Sequence, residues 1–130
     1  MTPTQKIKFE IIKRAAKDTS YVLENIDEDN IDEIYDELRN DYEGPLDIND
    51  EEYQFREGDV ETGLPCDYSR YFETKSVAAQ LEDGSWVGWR YIYGGGKHAE
   101  PESVPWMENA YDLEVTEEEK LVTVRTFKKV

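Results

Sequence analysis

The stretch best suited to chemistry is YGGGKHAEPE, residues 93 to 102. Three consecutive glycines lead into Lys97 and into His98, the single histidine of the chain. A glycine-rich loop followed by lysine suggests phosphate binding, and a histidine close to Glu100 suggests acid–base catalysis. A phosphate loop also requires a hydroxyl residue after the lysine and a glycine five positions before Gly96, and this sequence has neither. The pattern therefore predicts no phosphate loop.

The catalytic interpretation of the same stretch also lacks supporting spacing. His98 has no nucleophile or carboxylate at a distance along the chain that marks a known catalytic site. One histidine and the single cysteine, Cys66, do not form a zinc-binding pattern. We expect instead that the glycines let the chain leave an aromatic strand through conformations closed to other residues. The chain is therefore predicted not to be an enzyme and to need no cofactor, with an enzyme using Lys97, His98 and Glu100 as the alternative.

Carboxylates are the most abundant candidate functional groups, with 31 acidic side chains among 130 residues. An EF-hand calcium loop that began at Asp47 would need glycine at its sixth position and glutamate at its twelfth, where Glu52 and Gly58 stand. A loop beginning at Asp27 fails in the same way. Glycoside hydrolysis needs two carboxylates at a defined separation, and so many acids provide pairs by chance. The sequence predicts neither a metal site nor a glycosidase.

The acidic residues are concentrated in one part of the chain. The formal net charge is −16 at pH 7, and residues 24 to 67 hold eighteen acidic and two basic side chains. Residues 1 to 23 carry a net charge of +3 and residues 68 to 130 a net charge of −3. Such a surface repels nucleic acid and anionic lipid and attracts basic proteins.

Two helices are predicted in the N-terminal part. The first covers residues 4 to 26, where apolar residues recur at helical spacing (Ile7, Ile11, Ala15 and Val22). The second has an apolar stripe formed by Ile31, Ile34, Tyr35, Leu38 and Tyr42. Asp29 or Asn30 is expected to cap this helix, and Gly44 with Pro45 to end it.

The remainder of the chain favours a loop followed by strands. Residues 45 to 70 are predicted to form a long acidic loop with a short helix near residues 49 to 55. Strand patterns cover residues 71 to 81, 85 to 93, 110 to 115 and 120 to 127, with a tight turn at Asp83-Gly84 and a short helical turn after Pro105. The predicted fold is α+β, with two N-terminal helices packed on a four-stranded, mostly antiparallel sheet. We expect a single domain over residues 1–130, with a helical acidic part (1–44), an acidic loop (45–70) and a β-sheet part (71–130).

One segment resembles a known group of proteins. The sequence YGGGKHAEPESVPWMENAYDL, residues 93 to 113, is similar to a segment of small uncharacterised bacteriophage proteins, in which Gly-Gly-Gly-Lys-His is likewise followed by Glu-Pro-Glu and a tryptophan. The resemblance covers about a sixth of the chain. It implies a phage origin, and it assigns no functional residue.

The charge distribution itself predicts a function. Carboxylates on successive helical turns lie about 5.4 Å apart along the axis, a spacing comparable in scale to that of phosphates along a nucleic-acid strand. The sequence therefore predicts an acidic inhibitor that mimics nucleic-acid charge and blocks the basic DNA- or RNA-binding site of a host protein. The predicted contact residues are Asp29, Asp32, Glu33, Asp36, Glu37, Asp41, Glu43, Asp47, Asp50, Glu51, Glu52, Tyr53, Glu57, Asp59 and Glu61. Tyr35, Tyr42, Tyr53 and Phe55 are expected to provide apolar anchors.

The expected partner is a basic nucleic-acid-binding host protein, such as a restriction or CRISPR nuclease, and not nucleic acid or a membrane. Alternative functions are an immunity-type protein that neutralises a basic nuclease toxin, and a phage structural or assembly component whose tryptophan-rich sheet is exposed. A homodimer is a further possibility. The lone cysteine and the absence of a long apolar run indicate a cytoplasmic location, in the host cell if a phage encodes the chain.

Overall fold

The computed structural model describes residues 1–96 and 99–130 and shows an α+β fold. Within these residues three helices are followed by a four-stranded antiparallel sheet. The helices are α1 (Pro3–Ala16), α2 (Ile31–Asn40) and α3 (Ile48–Phe55). The strands are β1 (Val60–Glu61), β2 (Glu73–Gln80), β3 (Trp86–Tyr93) and β4 (Tyr111–Leu113), with single 3₁₀ turns at Pro101–Ser103 and Met107–Asn109.

Helix α1 is shorter than the sequence pattern predicts. It begins with a capping box, in which the Thr2 hydroxyl accepts from the Gln5 backbone N–H and the Gln5 side chain accepts from Thr2. It ends at Ala16 because the Thr19 hydroxyl donates to the Ala16 carbonyl at 2.6 Å and Asp18 adopts a left-handed φ of 63°. The prediction that the helix continues to residue 26 is therefore wrong, and Val22 is 65% exposed.

Helix α2 follows an acidic segment, and the hydrogen bonds at its N-terminus differ from the predicted ones. Asn30 occupies the N-cap position, but its side chain makes no capping hydrogen bond. The Asp27 carboxylate instead accepts from the backbone N–H groups of Asp29 and Asn30. Tyr42 lies beyond the helix end and is 86% exposed, so the predicted apolar stripe ends at Leu38. Helix α3 coincides with the short helix predicted near residues 49 to 55.

The sheet has the strand order β1-β2-β3-β4. The central hairpin pairs β2 with β3 in the register from Gln80↔Trp86 to Glu73↔Tyr93, as the Asp83-Gly84 turn predicts. Beyond β3, Gly94 and Gly95 have φ values of 64° and 105°, which confirms that these glycines turn the chain away from the strand.

The predicted second hairpin is not formed. Its first strand is present as β4, but residues 120 to 127 belong to no strand and are exposed. The sheet has four strands because an additional short strand, β1, forms inside the predicted acidic loop and pairs with β2. Three glutamates precede residue 120, and their mutual repulsion opposes a tight turn there.

The core is a single hydrophobic cluster to which all three helices and both long strands contribute. Its centre is aromatic: the rings of Trp89 and Trp106 lie 5.2 Å apart and those of Phe55 and Trp89 lie 5.3 Å apart. Because Trp89 is fully buried and Trp106 is 9% exposed, these tryptophans do not form an exposed patch. Among the described residues, no helix is both long enough and apolar enough to span a membrane.

Candidate functional site

Lys97 and His98 lie outside the described residues, so the glycine-lysine-histidine stretch provides no site geometry. The candidate site is therefore built from the predicted acidic contact residues. Twelve of these fourteen carboxylates are exposed, and the other two, Glu51 and Glu52, are partly buried.

Helices α2 and α3 hold seven of the fourteen predicted carboxylates, because each helix buries one face and leaves the other in solvent. Ile31 and Tyr35 of α2 and Ile48 and Phe55 of α3 are buried. Both helices carry two acidic residues in their first turn, where negative charge interacts favourably with the helix dipole. Most of the acidic side chains of the two helices are therefore exposed to solvent, and those in the first turns also stabilise the helices.

A hydrogen-bonded group fixes α2 against α3. The Tyr35 hydroxyl donates to Glu52 Oε2 at 2.6 Å, and Arg39 Nε donates to the same oxygen at 3.1 Å. Asn49 Nδ2 donates to the Arg39 carbonyl at 2.9 Å. Burial, reinforced by the hydrogen bond to Glu52, raises the pKa of Tyr35 far above its usual value, so the hydroxyl stays a neutral donor. These contacts hold the two acidic helices in one orientation.

Four of the predicted contact residues are neutralised inside the molecule. Each forms an ion pair within 4.0 Å: Asp32 with Lys8, Glu52 with Arg39, Asp59 with Arg14 and Glu61 with Lys75. The hydrogen bond from Lys8, supported by one from Gln5, lowers the pKa of Asp32. The basic residues of α1 therefore serve largely as internal counterions.

The other ten predicted carboxylates have no cation within 4.0 Å among the residues that the structure describes. They are Asp29, Glu33, Asp36, Glu37, Asp41, Glu43, Asp47, Asp50, Glu51 and Glu57. We call this set the acidic surface. It belongs to α2, α3 and the residues next to them, and its charge is available to a partner.

A cleft of about 440 Å³ adjoins the acidic surface. It lies between the two helices and residues 102 to 108. Four carboxylates line it, those of Asp36, Glu52, Glu102 and Glu108, together with the cations of Lys8 and Arg39. Burial of Trp106 and Met107 brings the last two close to α2, and the Thr4 hydroxyl also donates to the Met107 carbonyl at 2.7 Å. Sequence reasoning missed Glu102 and Glu108 because nothing in the local pattern shows where Trp106 packs.

The predicted aromatic anchors divide into two groups. Tyr35 and Phe55 are each only 3% exposed, so their prediction as partner contacts is wrong; both belong to the core. Tyr42 and Tyr53 are 86% and 52% exposed. The Arg56 guanidinium lies over the ring of Tyr53, 4.8 Å from its centre, and this cation–π contact helps to hold the tyrosine ring in place. Two exposed rings therefore accompany the acidic surface.

The arrangement suits the binding of basic side chains. Outside positions 97 and 98, no group of three or more His, Cys, Asp or Glu side chains is placed to hold a metal ion. Carboxylates on α2 and α3 can instead accept hydrogen bonds from lysine or arginine, and the cleft has room for an inserted side chain. Searches with protein-family models, among curated proteins and among solved structures found no match to this chain.

Proposed function

We propose that the chain is an inhibitor that presents its acidic surface to the basic nucleic-acid-binding site of another protein. The observation that supports this proposal is the set of ten predicted contact carboxylates without a cation partner among the described residues, all between residues 29 and 57. The four basic residues of α1 pair with carboxylates that are not among these ten, so the excess negative charge is located at this surface.

Electrostatic repulsion between the carboxylates of the acidic surface explains why this surface would bind a basic partner. Carboxylates crowded on two fixed helices repel one another, and a partner rich in lysine and arginine relieves that repulsion on binding. Long-range attraction should make association fast and strongly dependent on salt. The cleft, whose four carboxylates outnumber its two cations, would receive one basic side chain, and the exposed rings of Tyr42 and Tyr53 would supply apolar contact.

The proposed partner is a DNA- or RNA-binding host protein, with defence nucleases of the restriction or CRISPR type as the leading class. The resemblance of residues 93 to 113 to bacteriophage proteins favours this class, since a phage gains from blocking such an enzyme. The proposed location is accordingly the host cytoplasm.

The test compares two triple variants that change the net charge equally. Glu33→Gln/Asp36→Asn/Glu37→Gln removes three charges from the acidic surface. Glu114→Gln/Glu117→Gln/Glu119→Gln removes three exposed charges near the C-terminus. Both variants are used with the native chain to capture proteins from a bacterial lysate at 50 mM and 500 mM NaCl, with and without duplex DNA.

We expect the native chain and the C-terminal variant to retain a DNA-binding protein that salt releases and duplex DNA displaces. The α2 variant should lose at least about tenfold in affinity, since each charge-assisted contact contributes about 1.5–3 kcal/mol. Equal losses of affinity in the two variants would show that binding depends on overall net charge and not on the acidic surface. Capture insensitive to salt and DNA would contradict mimicry.

A further inference from the structure

A second cleft, of about 450 Å³, lies against strands β2 and β3. Its floor is formed by Ser76 of β2 and Arg90 of β3, which are directly paired in the sheet register. Paired residues on adjacent antiparallel strands project to the same face, so both side chains lie on one side of the sheet. Residues 64 to 67 form one wall and residues 105 to 111 contribute the other.

Ser76 provides the first sign that the cleft takes a ligand. It is 4% exposed, and its hydroxyl has no hydrogen-bond partner among the described residues. A buried polar group without a partner destabilises the folded state, and most such groups in native proteins are satisfied. A ligand oxygen within reach of this hydroxyl would remove that penalty.

Arg90 provides the second sign. In a chain with 31 acidic side chains, its guanidinium has no carboxylate within 4.0 Å among the described residues. Its one hydrogen bond in this part of the molecule is a long contact of 3.3 Å to the Asp67 carbonyl. The planar guanidinium binds carboxylates through two parallel hydrogen bonds. Arg90 is thus available to an anion at the floor of the cleft.

The walls define what else the ligand carries. Trp106 and Pro105 line one side, and Leu64 and Pro65 line the other, while Asn109 and Tyr111 add neutral polar groups. The exposed lining is thus divided about equally between polar and apolar groups, and the volume is within the range of small-molecule sites. We propose that this cleft binds a small aromatic or similarly flat carboxylate, with its carboxylate on Arg90 and Ser76 and its ring between the apolar walls.

The site shares Pro105 and Trp106 with the cleft beside the acidic surface, but it contains none of the residues of that surface. Its lining residues belong to the sheet, to residues 64 to 67 and to residues 105 to 111, and none is among the predicted contact residues. Asp67 is the one acidic residue that lines it, and its charge opposes an anionic ligand. The proposal therefore predicts opposite effects for the two charged residues of the cleft.

The experiment is an NMR titration of the full chain with benzoate, with benzamide as the uncharged analogue and benzylammonium as the cationic one. Benzoate is expected to shift the amide signals of residues 64, 66, 67, 76, 90 and 106 to 111 and to bind at least about tenfold more tightly than benzamide. Binding of benzylammonium in preference to benzoate, or equal affinity for benzoate and benzamide, would overturn the proposal.

Variants identify the groups responsible. Arg90→Gln should weaken benzoate binding at least about tenfold, whereas Arg70→Gln, which removes the same charge outside the cleft, should leave it unchanged. Asp67→Asn should strengthen it. Ser76→Ala should weaken binding while leaving the thermal midpoint unchanged or higher, a combination that a purely structural role for the hydroxyl does not give. Unchanged affinity in Arg90→Gln would exclude the proposed site.

A titration with inorganic phosphate tests the contribution of the apolar walls. Phosphate should bind more weakly than benzoate, because it gains nothing from Trp106 and the prolines. Phosphate binding as tight as that of benzoate would mean a bare anion site and contradict the proposal. The α2 triple variant should still bind benzoate, and Arg90→Gln should still bind the salt-sensitive protein partner. The proposal for the cleft and the proposal for the acidic surface can therefore be refuted independently.

Discussion

At the scale of single residues, Asp32 shows how the chain uses its own cations. Its carboxylate accepts from Lys8 Nζ at 2.8 Å and from Gln5 Nε2 at 3.1 Å. These contacts lower its pKa from the ordinary value of 3.8. A carboxylate whose pKa is lower in the folded state stabilises that state above its unfolded pKa, and the contribution is lost as the pH falls through the folded pKa.

We therefore predict a pH-dependent effect for Asp32→Asn. The variant should have a lower free energy of unfolding than the native chain at pH 7, and the difference should shrink as the pH falls below about 4. Urea unfolding at several pH values between 2.5 and 7 measures this. Asp36→Asn is the control, since Asp36 has no cation within 4.0 Å among the described residues. A constant difference for Asp32→Asn would contradict the assigned role of Lys8.

At the scale of elements, the contact between β3 and β4 depends on the absence of a side chain at Gly88. Gly88 pairs with Tyr111, and a Cβ at Gly88 would lie 2.7 Å from the Tyr111 ring and 2.8 Å from Leu113. Strand β4 has three residues, so it has few other contacts to absorb a shift. Close approach of the Tyr111 ring to the backbone explains a glycine in the middle of a long strand.

Gly88→Ala is accordingly expected to destabilise the fold by about 1–3 kcal/mol, because the overlap must be relieved by moving Tyr111 and Leu113. Thermal or urea unfolding measures the loss. Gly96→Ala is the matched control, since a Cβ there meets nothing within 4 Å and its φ is not in the left-handed region. Equal stability of both variants would show that β4 does not rest on Gly88.

The elements also show what local sequence can and cannot predict. Helix α2 and the β2–β3 hairpin were predictable because their signals are local: a helical apolar period from Ile31, predicted to run four residues past Leu38, and a tight turn at Asp83-Gly84. Strand β1 was not, because two residues carry no period and their pairing with β2 is decided by tertiary contacts. In the candidate site, the carboxylates of α2 were predictable from the same period, whereas Glu102 depends on the distant packing of Trp106.

At the scale of the whole molecule, the surplus charge opposes folding. Nine ion pairs join described residues, and three of those involving α1 lysines reach α2, the hairpin turn or β4. They do not offset a net charge of −16. Repulsion between exposed charges is screened over about 10 Å at 0.1 M salt and over shorter distances at higher concentration.

We therefore expect the thermal midpoint to rise as NaCl increases from 20 to 500 mM, because screening relieves repulsion more than it weakens the exposed ion pairs. The α2 triple variant should show a smaller rise than the native chain. Differential scanning calorimetry on both proteins measures this. A midpoint that falls with salt would show that the ion pairs of α1 outweigh the repulsion of the acidic surface.

The long reach of α1 has a consequence for synthesis. Thr4 bonds to the carbonyl of Met107 and Lys6 pairs with Asp112, so the first helix finds its last partners more than a hundred residues later. Trp106 also reaches the aromatic centre of the core late. A ribosome releases the chain from its N-terminus onward, and domains of this kind fold as units. The helices therefore cannot complete their packing until residues 106 to 112 have emerged from the ribosome.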